Sequence, residues 1–152
     1  MGKIAIAAIA PILLVLGATS VSYATAVSPD QPEVQTHNGI PFVSGGFGVE
    51  ERAALRTMGS KDNLELSFAL RNDEYIGGAK VLIKDEQGNK ILQTESDGPL
   101  FYAKLPAGKY LVTATARGKS LTQVAQVPNK GRARLYFAWR REAGNTRTLA
   151  SN

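Results

Sequence analysis

From Leu64 to Trp139 large apolar residues recur at every second position, and this alternation constrains the fold more than any other feature of the chain. In LELSFAL, Leu64, Leu66, Phe68 and Leu70 share one face, and Glu65, Ser67 and Ala69 take the other. That period belongs to a strand with one buried face. AKVLIKD, KILQTES, LFYAKL, YLVTATA, SLTQVAQV and RARLYFAWR follow. Gly, Pro, Asn and Asp clusters separate them about every 8 to 12 residues. No helical pattern lies between the segments, which argues against a parallel sheet with crossover helices. The expectation is an all-β chain, a seven-stranded antiparallel sandwich.

The inward sets follow from the same alternation. They are Ala79, Val81 and Ile83, then Phe101, Ala103 and Leu105, then Tyr110, Val112, Ala114 and Ala116. Leu121, Ala125 and Val127 come next, and Ala133, Leu135, Phe137 and Trp139 close the set. KILQTES alternates more weakly and reads as an edge strand. Gly88 or Asn89 can take positive φ in the EQGN turn, and Arg117-Gly118-Lys119 reads as a hairpin turn.

The segments ahead of the sheet differ in kind. Lys3 is followed by an apolar run over residues 4–18, and Ala24-Thr25-Ala26 supplies small residues at a cleavage site. This is the layout of a secretory signal peptide over residues 1–26, cut after Ala26. The run is shorter than the ~20 residues a spanning helix needs, and Pro11 interrupts it. The expected product is periplasmic or secreted, without stable membrane insertion. Losing Lys3 takes the formal net charge from +5 to +4, mild enough to permit anionic partners without demanding them. There is no cysteine, so no disulfide framework or lipoprotein site.

Residues 27–38 read as a flexible leader, and residues 39–60 as a Gly-rich loop followed by a short helix, VEERAALRTM. Glu50 and Glu51 suit its first turn, and Gly59 suits its C-terminal cap. Val49, Ala53, Ala54, Leu55 and Met58 form a ragged stripe that should lie against the main body. Phe42 and Phe47 should pack onto the sandwich, which spans residues 61–141. Residues 142–152 read as a disordered tail.

Two stretches carry a resemblance. ESDGPLFYAKLPAGKYLVTATARGKSLTQVAQVP is similar to carboxypeptidase regulatory-like domains, whose signature is a turn of the L-P-x-G-x-Y type, an alternating strand and a Gly hairpin. Leu105, Pro106, Gly108, Tyr110 and Gly118 fall on that pattern. AKVLIKDEQGNKIL resembles the family's first hairpin, with Asp85 and Gly88 at the turn. Coverage is about residues 64–140, and GIPFVSGGFGVEERAAL resembles the leader of small exported bacterial proteins carrying one such domain. The resemblance implies a transthyretin-like (immunoglobulin-like) sandwich with starch-binding-like relatives. It implies no activity and no cofactor, since fold does not fix function. The signature has a local reason. Pro106 presets φ, Gly108 relaxes the turn, and Tyr110 anchors its strand. The family's stalk repeats often carry a buried Lys–Asn cross-link, but the inward positions of LELSFAL hold no lysine.

Residues able to carry chemistry are sparse. His37 is the only histidine, and it sits in the leader without histidine or cysteine partners. SGGFG precedes a helix but lacks the Lys-Ser/Thr pair of a phosphate loop. Asp73-Glu74 and Asp85-Glu86 would have to converge at one end of the sandwich to hold calcium, and their spacing matches no loop motif. No serine has a histidine in a rigid segment to activate it. These readings point away from an enzyme and assign no catalytic, metal or cofactor residue. The most specific surface is the outer face of the last strand, with Arg132, Arg134, Tyr136 and Arg140. Arginines beside a tyrosine suit an anionic glycan or acidic protein. Nucleic acid does not fit an exported chain. The expected function is a non-catalytic binding or structural module of the cell envelope, with an envelope protein or glycan as partner. Carbohydrate binding through Tyr75, Tyr102 and Tyr136 is the alternative. The sequence leaves the oligomeric state open.

Overall fold

The computed structural model describes residues 31–141. The predicted signal peptide, the first part of the leader and the C-terminal tail lie outside the described residues. The described chain forms β1 (Gln35–His37), β2 (Ile40–Gly45), α1 (Val49–Met58), a 3-10 turn (Gly59–Lys61), β3 (Leu64–Leu70), β4 (Lys80–Asp85) and β5 (Lys90–Glu95). β6 (Leu100–Ala103), β7 (Gly108–Ala116), β8 (Lys119–Val127) and β9 (Ala133–Trp139) follow. Two sheets face each other, one ordered β1-β2-β6-β3-β9 and the other β5-β4-β7-β8.

All seven alternating segments form strands, but the described chain has nine. β1 and β2 arise where a flexible leader and a Gly-rich loop were expected. Asn38 and Gly39 both take positive φ, 50° and 77°, the backbone of a two-residue hairpin turn. β2 then pairs with β1 on one side and β6 on the other, and Lys104 N donates to the Pro41 carbonyl. The sandwich is also not wholly antiparallel, because β3 and β9 pair in parallel, Leu64 beside Ala133 through Leu70 beside Trp139. The parallel pair is possible because the intervening chain crosses to the second sheet before returning.

The core lies between the sheets. Leu64, Leu66, Phe68 and Leu70 are fully buried, as are Ile83, Leu92, Phe101, Val112 and Phe137. Leu121 and Leu135 are partly buried against them. Phe42 stacks on Phe101 at 5.3 Å between centroids, and Phe68, Phe137 and Trp139 form a second aromatic group at 6.0–6.3 Å. Such pairs add about 0.5–1.5 kcal/mol beyond their buried area. Tyr110 donates from its hydroxyl to the Pro106 carbonyl at 2.7 Å, which closes the L-P-x-G-x-Y turn on itself.

α1 packs on the outer face of the five-stranded sheet. Val43, Leu55, Leu100 and Tyr102 make a separate buried cluster there. Leu55 is the one buried residue of the helix, while Val49, Ala53 and Met58 are exposed. A helix of this length is marginal alone. Burying Leu55 contributes about 1.5–3 kcal/mol toward holding it. Gly59 is not the left-handed cap expected, since its φ is −78°. Its lack of a side chain is needed for packing, because a Cβ there would stand 2.5 Å from Cγ of Tyr102. Phe47 is likewise not packed away; it is 58% exposed, with its ring resting against Gly77.

Candidate binding face

The outer face of β9 carries Arg134 and Tyr136 in register with Glu65 and Ser67 of β3. Arg132 precedes the strand and Arg140 follows it. The four predicted residues therefore sit along one edge of the five-stranded sheet, but in different states.

Arg132 is turned into the structure. Its Nε donates to the Asp62 carbonyl at 3.0 Å, Nη1 to Glu65 Oε2 at 3.1 Å, and Nη2 to the Gly59 carbonyl. Its guanidinium also lies 5.0 Å from the centroid of the Tyr102 ring. It thus ties the end of α1 to β3 and offers little to a ligand. Asp62 nearby has its carboxyl raised above the usual range by burial, partly opposed by Arg132 and Lys104. Arg134 bonds Glu65 Oε2 through Nε at 3.2 Å but stays largely in solvent. Arg140 is exposed.

Tyr136 is 49% exposed, and its hydroxyl reaches Asp73 Oδ1 at 3.5 Å. Its pKa is raised by partial burial, then by the Asp73 carboxylate. Asp73 takes positive φ in the β3–β4 loop, and Tyr75 two residues on bridges to Ala69. Tyr75 is 47% exposed. The guanidinium of Arg52, from α1, lies 5.1 Å from the centroid of its ring, while Arg52 Nη2 donates to the Phe47 carbonyl at 3.2 Å. Arg52 Nε is buried without a hydrogen-bond partner among the described residues. The result is a surface running from Phe47 through Arg52 and Tyr75 to Tyr136 and Arg134. Ser67 and Ala69 lie between the two tyrosines on β3.

The sequence located β9's part of this face and missed Arg52. The only local signal was Arg52 and Arg56 four apart, on one side of a helix. Tyr102 does not belong to the face. Alternation places it outward, but α1 and Gly59 cover it to 1% exposure. The other candidates separate. His37 is in β1. Asp73-Glu74 lie in the β3–β4 loop and Asp85-Glu86 at the opposite end of β4, so they do not converge. Among the described residues no group of three or more His, Cys, Asp or Glu is arranged to hold a metal. In SGGFG, Glu51 Oε2 accepts from Gly48 N at 3.3 Å, so a carboxylate of the chain itself meets the start of the helix.

A larger groove of about 960 Å³, also missed from sequence, lies on the other side of the α1 start. Glu33, Glu50, Glu51 and Asp97 line it. Its polar floor is satisfied internally, since Ser44 Oγ donates to Asp97 Oδ2 at 3.0 Å and Gln35 Nε2 donates to the same oxygen at 3.1 Å. No protein-family model matches the chain, and no curated protein matches its sequence.

Proposed function

We propose that the chain is a non-catalytic binding module of the bacterial cell envelope, which meets an anionic partner through Arg52, Tyr75, Tyr136 and Arg134. The carrying observation is an arginine held over a half-exposed tyrosine, next to a second half-exposed tyrosine. Ordering Arg52 in advance lowers the entropy lost on binding. Tyrosine and arginine are the residues that most often dominate interface energies. The exported location rests on the signal-peptide layout of residues 1–26. The strand order supports the transthyretin-like, carboxypeptidase regulatory-like reading: β6-β3-β9 faces β5-β4-β7-β8, with β3 and β9 parallel.

The test is capture from envelope extract and by purified anionic envelope polymers, using the secreted form beginning at Val27, at low and high salt. Arg52→Glu with Arg134→Glu should abolish salt-sensitive capture. Arg132 must be left intact, because it holds the fold. Equal capture by the variant would sink this reading.

A second reading is carbohydrate binding. Tyr75 and Tyr136 on one face beside Asp73 favour it, because aromatic faces stack on sugar rings while a carboxylate accepts from hydroxyls. Chemical shifts of the two tyrosines should move with a binding glycan, and a neutral glycan panel that leaves both unmoved would count against it.

A further inference from the structure

A sandwich has four sheet edges, and here three are protected. β1 is only three residues long. β9 and β8 are tied to each other across the sheets. Gln123 Nε2 donates to the Tyr136 carbonyl at 2.7 Å, and Trp139 Nε1 donates to the Lys119 carbonyl at 2.9 Å. The fourth edge, β5, has six residues, and among the described residues no side chain from another element crosses it with a hydrogen bond. A groove of about 470 Å³, lined by His37, Lys90, Gln93, Thr94 and Glu95, runs beside it.

Ser96 N donates to the Ala79 carbonyl and the Ser96 carbonyl accepts from Gly78 N, so both Ser96 groups point toward the β4 side. Direction alternates along a strand. The N–H and C=O of Glu95 and Gln93 therefore point to the open edge. The side chains alternate too. Leu92 and Thr94 pair with Ile83 and Val81 on the core face, which leaves Gln93 and Glu95 outside. A bulge at Ile83/Lys84 shifts the register, so Lys90 pairs with Lys84 on the outer face. Like charges directly opposite are unfavourable, and a carboxylate arriving there would relieve them.

We infer that β5 is a self-association edge, pairing antiparallel with β5 of a second copy about Gln93. In that register Gln93 faces Gln93 of the second copy, each Leu92 meets a Thr94 on the core face, and each Glu95 lies opposite Ile91 of its counterpart, one residue from Lys90. The edge is complementary to itself in backbone, and in charge through Glu95 and Lys90 set diagonally across the pair, which is why the occupant is a second copy. The pairing joins two four-stranded sheets into one of eight, and leaves the tyrosine–arginine face of each copy on the other sheet. The contact is isologous and closes at a dimer.

The experiment is sedimentation velocity of the secreted form over roughly 1 μM to 1 mM, a range covering the weak dissociation constants of small interfaces. Wild type should dimerise with concentration. Lys90→Glu sets like charges together twice and should weaken dimerisation about tenfold, the effect of about 1.4 kcal/mol. Lys90→Glu with Glu95→Lys should restore it. Gln93→Pro removes an N–H that faces outward and should abolish the dimer, while thermal melting shows the fold intact. Wild type that stays monomeric throughout overturns the proposal, leaving Lys90 and Glu95 as charges that keep the edge unpaired. A dimer that survives Gln93→Pro also overturns it, because the contact then lies elsewhere. A charge swap that fails to restore dimerisation overturns the register.

Discussion

Asn63 offers the sharpest test of how this sandwich is held together. It is 3% exposed and precedes β3 by one residue. Its Nδ2 donates to the Leu105 carbonyl at 2.7 Å, and its Oδ1 accepts from Leu105 N at 2.9 Å. Nδ2 also reaches the Pro128 carbonyl at 3.4 Å, while the Asn63 carbonyl accepts from Ala133 N at 2.9 Å. One amide thus does for Leu105 what a neighbouring strand would do, and joins the β6–β7 turn to the β8–β9 loop. Asn63→Ala leaves the N–H and C=O of Leu105 unpaired, in a residue only 2% exposed. Each orphaned group costs about 1–3 kcal/mol, so the loss should be about 2–6 kcal/mol. For a domain of this size that is a melting-point drop of roughly 10–20 °C. In urea, a loss of about 3 kcal/mol moves the midpoint by about 2 M at an m of about 1.5 kcal/mol/M. Asn63→Asp adds a sign. The carboxylate keeps an acceptor for Leu105 N but opposes the Leu105 carbonyl, so its folded pKa rises above the unfolded value. The protonated acid supplies the donor, and the variant should regain stability as pH falls through that raised pKa. An Asn63→Ala loss under about 1 kcal/mol would refute the reasoning, because the Leu105 groups would then have found other partners.

Gly98→Ala should be severely destabilising, by about 3 kcal/mol or more, since the added Cβ would overlap the Gly45 carbonyl carbon; a melting point within a few degrees of wild type would contradict this. Asp62 has a folded pKa raised by burial, so the folded state holds its proton more tightly, and ionised Asp62 lowers stability at neutral pH. Asp62→Asn should therefore be at least as stable as wild type at pH 7, with the advantage fading as pH falls toward the unfolded 3.8, as followed by urea titration across pH. The Asp85 carboxyl is held below its usual value by hydrogen bonds from Asn89, and what that contributes is present above 3.8 and lost as pH falls through the folded pKa. Asn89→Ala should raise the Asp85 pKa toward 3.8, which a carboxyl-carbon NMR titration reads directly.

The order in which features became legible follows their range. Asn38-Gly39 was the local signal for the first hairpin, yet Pro41 and the glycines of SGGFG obscured the strand that follows it. β1 is too short to show any period. The relation of β3 to β9 had no local signal at all, because a strand alternates in the same way whichever direction its neighbour runs. Arg132 and Arg134 are equivalent by alternation. Only the docking of the α1 end turns one inward to three carbonyl and carboxylate oxygens and leaves the other in water. Tyr102 and Tyr136 differ for the same reason, since the first lies under Gly59 and the second does not.

The sequence alone determined the seven alternating strands, their inward faces and the turn chemistry between them, because period and turn residues act over a few neighbours. Alternation also put Tyr102, Arg134 and Tyr136 on outward faces of their strands, but said nothing of Arg52 or Tyr75. The tertiary structure decided which of those residues water can reach. That choice depends on where a helix lands on the sheet, which Leu55 and Gly59 at the helix settle together with Tyr102, about 40 residues further along the chain. The open edge at β5 is likewise a property of sheet order, and no single strand's sequence contains it.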